Sequence, residues 1–480
     1  MSRQTTGARR RARTRPAVFA ALAALVLSGL GVPAVSAHDG EDHFGSPYVP
    51  PPVTAAGPVG GAYSNVAQRD RHEVWLVDQS NTDNTSAPSF GGRIYIYDGS
   101  DLRHDTAAAQ AEVVELSAAT ADLCREATGV TPVRPHMIYF NATQSHAVLS
   151  FVASGHVVII DASTREPAAC FRTEVGAAGA VQAHAAVPTP DDRFIIVANQ
   201  NGKKVERIRT DYASGTFSQE TAATISLASG DTPHGDPVET PGDPTMRPDN
   251  APICPFIPSS GYPAFISLRG GGLLALDPYA TPMRIVAEYP ATEVARDGCG
   301  FTESQGWVYG NGGRTAGTLS GWFVYRVPVG GPELWNPEAQ PEVQLVEQDT
   351  RGPRDAHGMV TVRDRYVWAF DRSAHVLQVY QGRNGQAGET INLRSPWAQA
   401  PAPDIVAQAP DGRAVYAATR GPSPLSGAHA ATGDAPGLLV LEVRKDGREG
   451  VVRGHVAVSN VLDNGREQAD PHGLAVRRTG

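Results

Sequence analysis

The sequence predicts an all-β fold: a seven-bladed β-propeller in which the C-terminal strand closes the first blade. Three observations predict it. A phrase made of a turn, one distinctive residue and a short apolar strand occurs seven times. Glycine (50) and proline (38) are plentiful among the 480 residues, and long Ala/Leu/Glu/Lys runs are missing after the first 40. That composition belongs to many short strands joined by turns. The chain also ends on "DPHGLAVRRTG", a turn and one strand with no partner after it.

The elements follow in chain order. Residues 1–16 carry six arginines and no acid, and Ala17 to Leu30 is an apolar run too short to span a bilayer. "VPAVSA" then places Val35 and Ala37 at the small-residue positions of a cleavage site. Residues 1–37 read as a cleaved export signal. The residues around Arg9-Arg10-Arg11 fit a twin-arginine signal poorly, so the ordinary secretory route is expected. Residues 38–69, rich in proline beyond Ser46, read as a flexible tail and linker. The mature protein is therefore expected outside the cytoplasm, periplasmic or extracellular. Losing the signal removes six positive charges and takes the net charge from -9 to -15. Such a chain is a poor nucleic-acid binder, because phosphate contacts need clustered Lys and Arg. No other apolar run is long enough for a membrane span. A small molecule or a protein remains as the expected partner.

Residues 70–480 carry the repeat. The phrases are "RPHMIYF" at Arg134, "QAHAAVP" at Gln182, "APICPFI" at Ala251, "DGCGFTE" at Asp297, "DAHGMVT" at Asp355, "APDIVAQ" at Ala402 and "DPHGLAV" at Asp470. Most are followed by a turn such as "PDDR" or "PDGR", then by a strand such as "FIIVAN" or "AVYAAT", then by a third such as "HVVIID" or "GLLALD". This is strand, turn, strand, turn, strand, punctuated by Gly and Pro. Six intervals from His136 to His472 average 56 residues, a blade length with some enlarged loops. The Pro/Asp-rich stretch from Asp231 to Asn250 and "GPSPLSGAHAATGDAPG" from Gly421 are two such insertions. "HEVWLV" (72–77) and "RIYIYD" (93–98) lack an inner strand before them, and "DPHGLAV" supplies it. The ring thereby closes and protects its edges.

The pattern turn-(P/A)-H-G-apolar, then PDG or PDD-R-apolar, then G-apolar-D resembles the YVTN/lactonase-like seven-bladed propellers of exported bacterial proteins. The resemblance covers roughly residues 70–480. It implies the fold. For function it implies only a broad range: lactonases, cofactor-bearing oxidoreductase subunits, copper enzymes and binding scaffolds. No catalytic residue carries over.

The distinctive residue of each phrase opens an innermost strand, so the seven should ring one mouth of the central channel. They are His136, His184, Cys254, Cys299, His357, Asp404 and His472. Four of the chain's 14 histidines thus share one repeat position, and all seven are types that bind transition metals. His136, His184, His357 and His472 with Asp404 form the expected metal set, for copper or zinc, with a small-molecule metalloenzyme as one outcome. The alternative is that these rings only bridge backbone groups between blades. The chain is then a non-enzymatic scaffold binding a protein or small ligand on its loop face. A lactonase-like hydrolase is a weaker third reading.

Four cysteines in an exported chain suggest disulfides. Cys124 and Cys170 lie off the hub and read as one pair. Cys254 and Cys299 open adjacent inner strands, where a disulfide, free thiols or soft metal ligands are all open readings. A nucleophile-elbow Ser, an HExxH, a CxxCH and a dinucleotide fingerprint are all missing.

Overall fold

The computed structural model describes residues 71–80, 91–176, 179–228, 250–313, 321–336, 338, 340–425, 431–462 and 464–480. The export signal, the tail and most of the Asp231–Asn250 insertion lie outside the described residues, as does part of the insertion from Gly421. No helix among the described residues is long and apolar enough to cross a membrane.

Seven antiparallel sheets make up the fold, each ordered from an inner to an outer strand. Their inner strands are Pro471–Arg478, Pro135–Phe140, Ala183–Pro188, Pro252–Phe256, Phe301–Ser304, Ala356–Val362 and Pro403–Gln408. We number the blades 1 to 7 in that order. Blade 1 is composite. Its inner strand Pro471–Arg478 pairs with His72–Asp78, which is followed outward by Arg93–Asp98 and Ala111–Glu115. Leu76 sits opposite Leu474 and Trp75 opposite Ala475. The last strand of the chain thus completes the first blade, as the sequence predicts. Blade 3 has an extra short strand, Ile225–Ser226, beside Lys204–Asp211.

The second strand of a blade is covered on both faces, so its sequence is apolar throughout rather than alternating. His146–Phe151, Phe194–Asn199 and Ala414–Thr419 are buried at every position. The apolar cores lie between blades. Val74, Leu76 and Leu474 of blade 1 pack with Tyr416, Leu438 and Val440 of blade 7. Trp75 and Ile94 pack with Ile138 and Leu149 of blade 2. Each large apolar side chain so buried contributes about 1.5–3 kcal/mol, and the ring distributes that gain around its circumference.

Two helices interrupt the β pattern, and both follow from local signals. Gly99–His104 starts where the Asp98 carboxylate accepts from the Ser100 N–H at 2.7 Å. Ala119–Thr128 ends at Gly129, whose φ of 74° suits a residue without Cβ. Cys124 lies on this second helix, not in a strand or loop, and its disulfide to Cys170 fastens the helix to the outermost strand of blade 2.

Candidate metal centre

At six of the seven hub positions the inner strand is bulged. Register shifts fall between Pro135 and Ile138, Ala183 and Ala185, Pro252 and Pro255, Ala356 and Met359, and Pro403 and Val406. The sixth lies at the paired positions Leu76/Asp78, opposite Leu474 and Pro471. A bulge leaves a residue out of the ladder and re-aims its side chain. Each shift brackets the distinctive residue of its phrase: His136, His184, Cys254, His357, Asp404 and His472. Cys299 precedes Phe301–Ser304, the inner strand of blade 5, by two residues.

His357, Asp404 and His472 come together. His357 Nε2 lies 2.8 Å from Asp404 Oδ1, and His472 Nδ1 lies 3.2 Å from Asp404 Oδ2. One donor atom from each falls within 4.8 Å of the other two, and all three residues are buried. Donors 2.0–2.1 Å from a tetrahedral ion stand about 3.3 Å from one another, close to these separations.

His136 adjoins the trio and His184 stands apart from it. His472 Nε2 is 3.0 Å from His136 Nε2. His184 packs edge-on against His136 with ring centres 4.6 Å apart, and its Nδ1 is 3.7 Å from Cys254 Sγ. Cys254 is joined to Cys299, with Cα atoms 5.2 Å apart, inside the reach of a disulfide. The adjacent inner strands do come close enough for the bridge.

The hydrogen-bond network sets the ring tautomers. Gln79 Nε2 donates to Asp470 Oδ2 at 3.2 Å, which turns Gln79 Oε1 toward His136 Nδ1, 3.1 Å away. Nδ1 of His136 therefore carries the hydrogen and Nε2 is bare. His472 must donate to it from its own Nε2, which leaves the His472 Nδ1 lone pair facing the Asp404 carboxylate. The two atoms stand 3.2 Å apart in a buried site, where a proton or a metal ion between them satisfies both. His357 Nδ1 and Nε2, Asp404 Oδ2 and His472 Nδ1 are all buried, and none finds a hydrogen-bond partner of acceptable geometry.

Burial pushes the His136 and His472 rings well below the usual imidazole range; Arg420 and neighbouring rings add to it, while for His472 the Asp404 carboxylate opposes it. Burial also takes His184 down to about 3. Neutral rings are the ligating form. Burial alone would raise the Asp404 carboxyl, but the positive charge around it, on the His472 and His357 rings when protonated and on Arg372, outweighs burial and holds it well below the usual range.

Two arginines also reach Asp404, and each has a closer carboxylate. Arg372 is 3.3 Å from Asp404 and 2.9 Å from Asp355. Arg420 is 3.4 Å from Asp404 but grips Asp470 at 2.9 and 2.7 Å. The Asp404 charge is thus only loosely engaged. Gln79, Arg372, Arg420 and Asp470 were not singled out as site residues from the sequence. A signal for three of them exists in the repeat: acids lead in to "DAHG" and "DPHG", and Arg372 and Arg420 each directly follow the second strand of their blade. Against the trio lies a channel cavity of about 310 Å³, lined by the residues that follow the donors, among them Met137, Met359, Ile405 and Leu474.

No family model matches the chain, and no curated protein sequence does. The likeness is structural. A functionally unknown protein from Desulfotomaculum acetoxidans superposes with a TM-score of 0.51 at 11% identity, over 85% of this chain and 99% of that one. A protein from Lactobacillus plantarum reaches 0.55 at 9% identity over the same shares. The periplasmic gluconolactonase of Pseudomonas aeruginosa reaches 0.50 at 13%, again over 85% and 99%. The chain thus has the fold of the lactonase-like seven-bladed propellers. At these identities the likeness is one of fold alone.

Proposed function

We propose that this chain is an exported propeller that binds one divalent transition-metal ion, zinc or copper, at its hub. His357 Nε2, Asp404 and His472 Nδ1 are the ligands, and His136 orients His472. The observation that carries this reading is the buried cluster itself, with His357 Nε2 at 2.8 Å and His472 Nδ1 at 3.2 Å from the Asp404 carboxylate and one donor atom of each within 4.8 Å of the others. Two imidazoles and one carboxylate suit zinc, and they leave a coordination position for water or substrate. An ion held so would polarise a carbonyl or lower the pKa of a bound water. His136 supports it from outside, by fixing the tautomer of a ligand.

Export belongs to the same reading. Residues 1–37 are the cleaved signal and 38–69 the tail, and the disulfides Cys124–Cys170 and Cys254–Cys299 suit an oxidising compartment. A small neutral molecule reaching the channel is the natural substrate or ligand. Hydrolysis of a sugar lactone, the activity named for the Pseudomonas neighbour, is the first reaction to assay. A second reading has its own support. Arg354 pairs with Asp371 and Asp349, Arg372 with Asp355, and Arg420 with Asp470. Such a buried ionic belt can serve only to tie blades together, with the histidines as part of it, leaving a binding scaffold.

Metal content by mass spectrometry separates the two. Protein purified without chelator should hold one equivalent of zinc or copper, and a His357→Ala/Asp404→Asn variant should hold none. An empty wild-type hub after reconstitution with both ions would make the belt structural.

A further inference from the structure

We propose that the Cys254–Cys299 disulfide masks a second metal site, for a thiophilic ion, which reduction by a dithiol uncovers and which His184, Cys254 and Cys299 then form. One donor atom from each of these residues lies within 4.8 Å of the other two. Among the described residues this is the only such group besides the trio of His357, Asp404 and His472. The Cys124–Cys170 disulfide belongs to neither. One bridge fastens a helix at the periphery, whereas the other closes a ready set of soft ligands on the axis.

The neighbourhood suits the change. His184 is held by a hydrogen bond with the Ile253 backbone, and burial keeps its ring neutral. Its Nδ1 already stands 3.7 Å from Cys254 Sγ. Two thiolates on one tetrahedral ion sit about 3.8 Å apart, so one sulfur must move after the bond opens. Cys299 lines the channel cavity of about 310 Å³, which gives that sulfur room and the dithiol a route. The chemistry balances. The S–S bond breaks, two electrons and two protons come from the dithiol, and the dithiol leaves as its own cyclic disulfide. The ion then displaces both thiol protons to solvent, forming two bonds to sulfur and one to nitrogen. Two sulfurs and one imidazole select Cu(I) or zinc. This site does not depend on an ion at the trio.

The test counts zinc before and after reduction. A Cys124→Ser/Cys170→Ser background is treated with dithiothreitol under argon and desalted, and alkylation mass spectrometry confirms that Cys254 and Cys299 have opened. Zinc sulfate is then added in excess, unbound ion is removed by a second desalting, and native mass spectrometry counts the zinc retained. Reduction should add one equivalent. His184→Gln, which leaves the disulfide intact, should abolish the gain, while Asp404→Asn should keep it. If the serine background does not fold, the wild-type protein serves, and the gain must follow the opening of Cys254–Cys299 rather than Cys124–Cys170. A bond that resists dithiothreitol in the folded protein overturns the proposal. So does a bond that opens with no gain of zinc, or a gain unchanged in His184→Gln. Absence of zinc from the unreduced wild-type protein, with the gain on reduction intact, would count against the trio and leave this site standing.

Discussion

At the scale of single residues, the hub is decided by where hydrogens sit. Gln79 has no direct contact with an ion in the proposed site, yet it starts the chain of donors that bares His472 Nδ1. Its amide is turned by Asp470, and His136 is turned by the amide. Gln79→Leu keeps the bulk and removes both hydrogen bonds. Supporting groups of this kind are worth about 10–100-fold in metal affinity. The variant should therefore bind zinc weaker by that factor in a chelator competition, and the buried groups left without Gln79 should also cost about 1–3 kcal/mol in unfolding. Equal affinity would show that the tautomer chain has no part in binding. The identity of the donors was legible in the sequence, because His136, His357, Asp404 and His472 each open a phrase. Their grouping was not. Which rings meet depends on bulge directions and on Gln79, which directly follows the second strand of a composite blade, and no spacing in the chain reports that.

At the scale of elements, the glycine after the hub residue has a packing role. A Cβ on Gly358 would stand 2.1 Å from the Asp404 carbonyl oxygen, and one on Gly473 would stand 2.2 Å from that of His136. Gly300 meets the His357 carbonyl oxygen at 2.0 Å in the same way. In these three blades the chain thus leans on the backbone of the next blade's hub residue, and only a residue without a side chain permits it. Gly358→Ala should cost about 1–3 kcal/mol, the usual range for overpacking. Urea unfolding checks this, with Gly388→Ala as control, since a Cβ there meets nothing closer than 3.4 Å. A neutral Gly358→Ala would mean that the strands can part freely. The sequence marks these glycines as part of a turn phrase. Their real constraint is contact with a neighbour 46 to 337 positions away in the chain, which only the closed ring reveals. The two helices went unread for a different reason: at six and ten residues they are too short to show a period.

At the scale of the whole molecule, stability should fall on the acid side. Burial pushes His156 and His455 down to about 4 from the usual 6.5. His156 lies 2.9 Å from both Ser154 Oγ and Thr128 Oγ1, and His455 3.0 Å from Thr419 Oγ1. Below pH 6.5 the unfolded chain takes up protons at these rings and the folded chain does not until about pH 4. Their contribution is therefore complete above 6.5 and is lost as pH falls through that window, at about 1.4 kcal/mol per unit of depression. The melting temperature should drop between pH 6.5 and 4, and a His156→Gln/His455→Gln variant should show a shallower drop. An unchanged slope would assign the acid limb to other groups.

The pairing of Pro471–Arg478 with His72–Asp78 also imposes an order of events in time. The first strands of the chain to emerge, from a ribosome or through a translocation pore, must wait with a bare edge for a partner made some four hundred residues later. During that wait blade 1 is open to capture by any other extended chain, and a holding chaperone has its clearest target there. His472 arrives on that last strand, so the donor trio comes into being in the same step that shuts the ring. A metal ion bound by the trio would act as a latch that engages only on finished molecules.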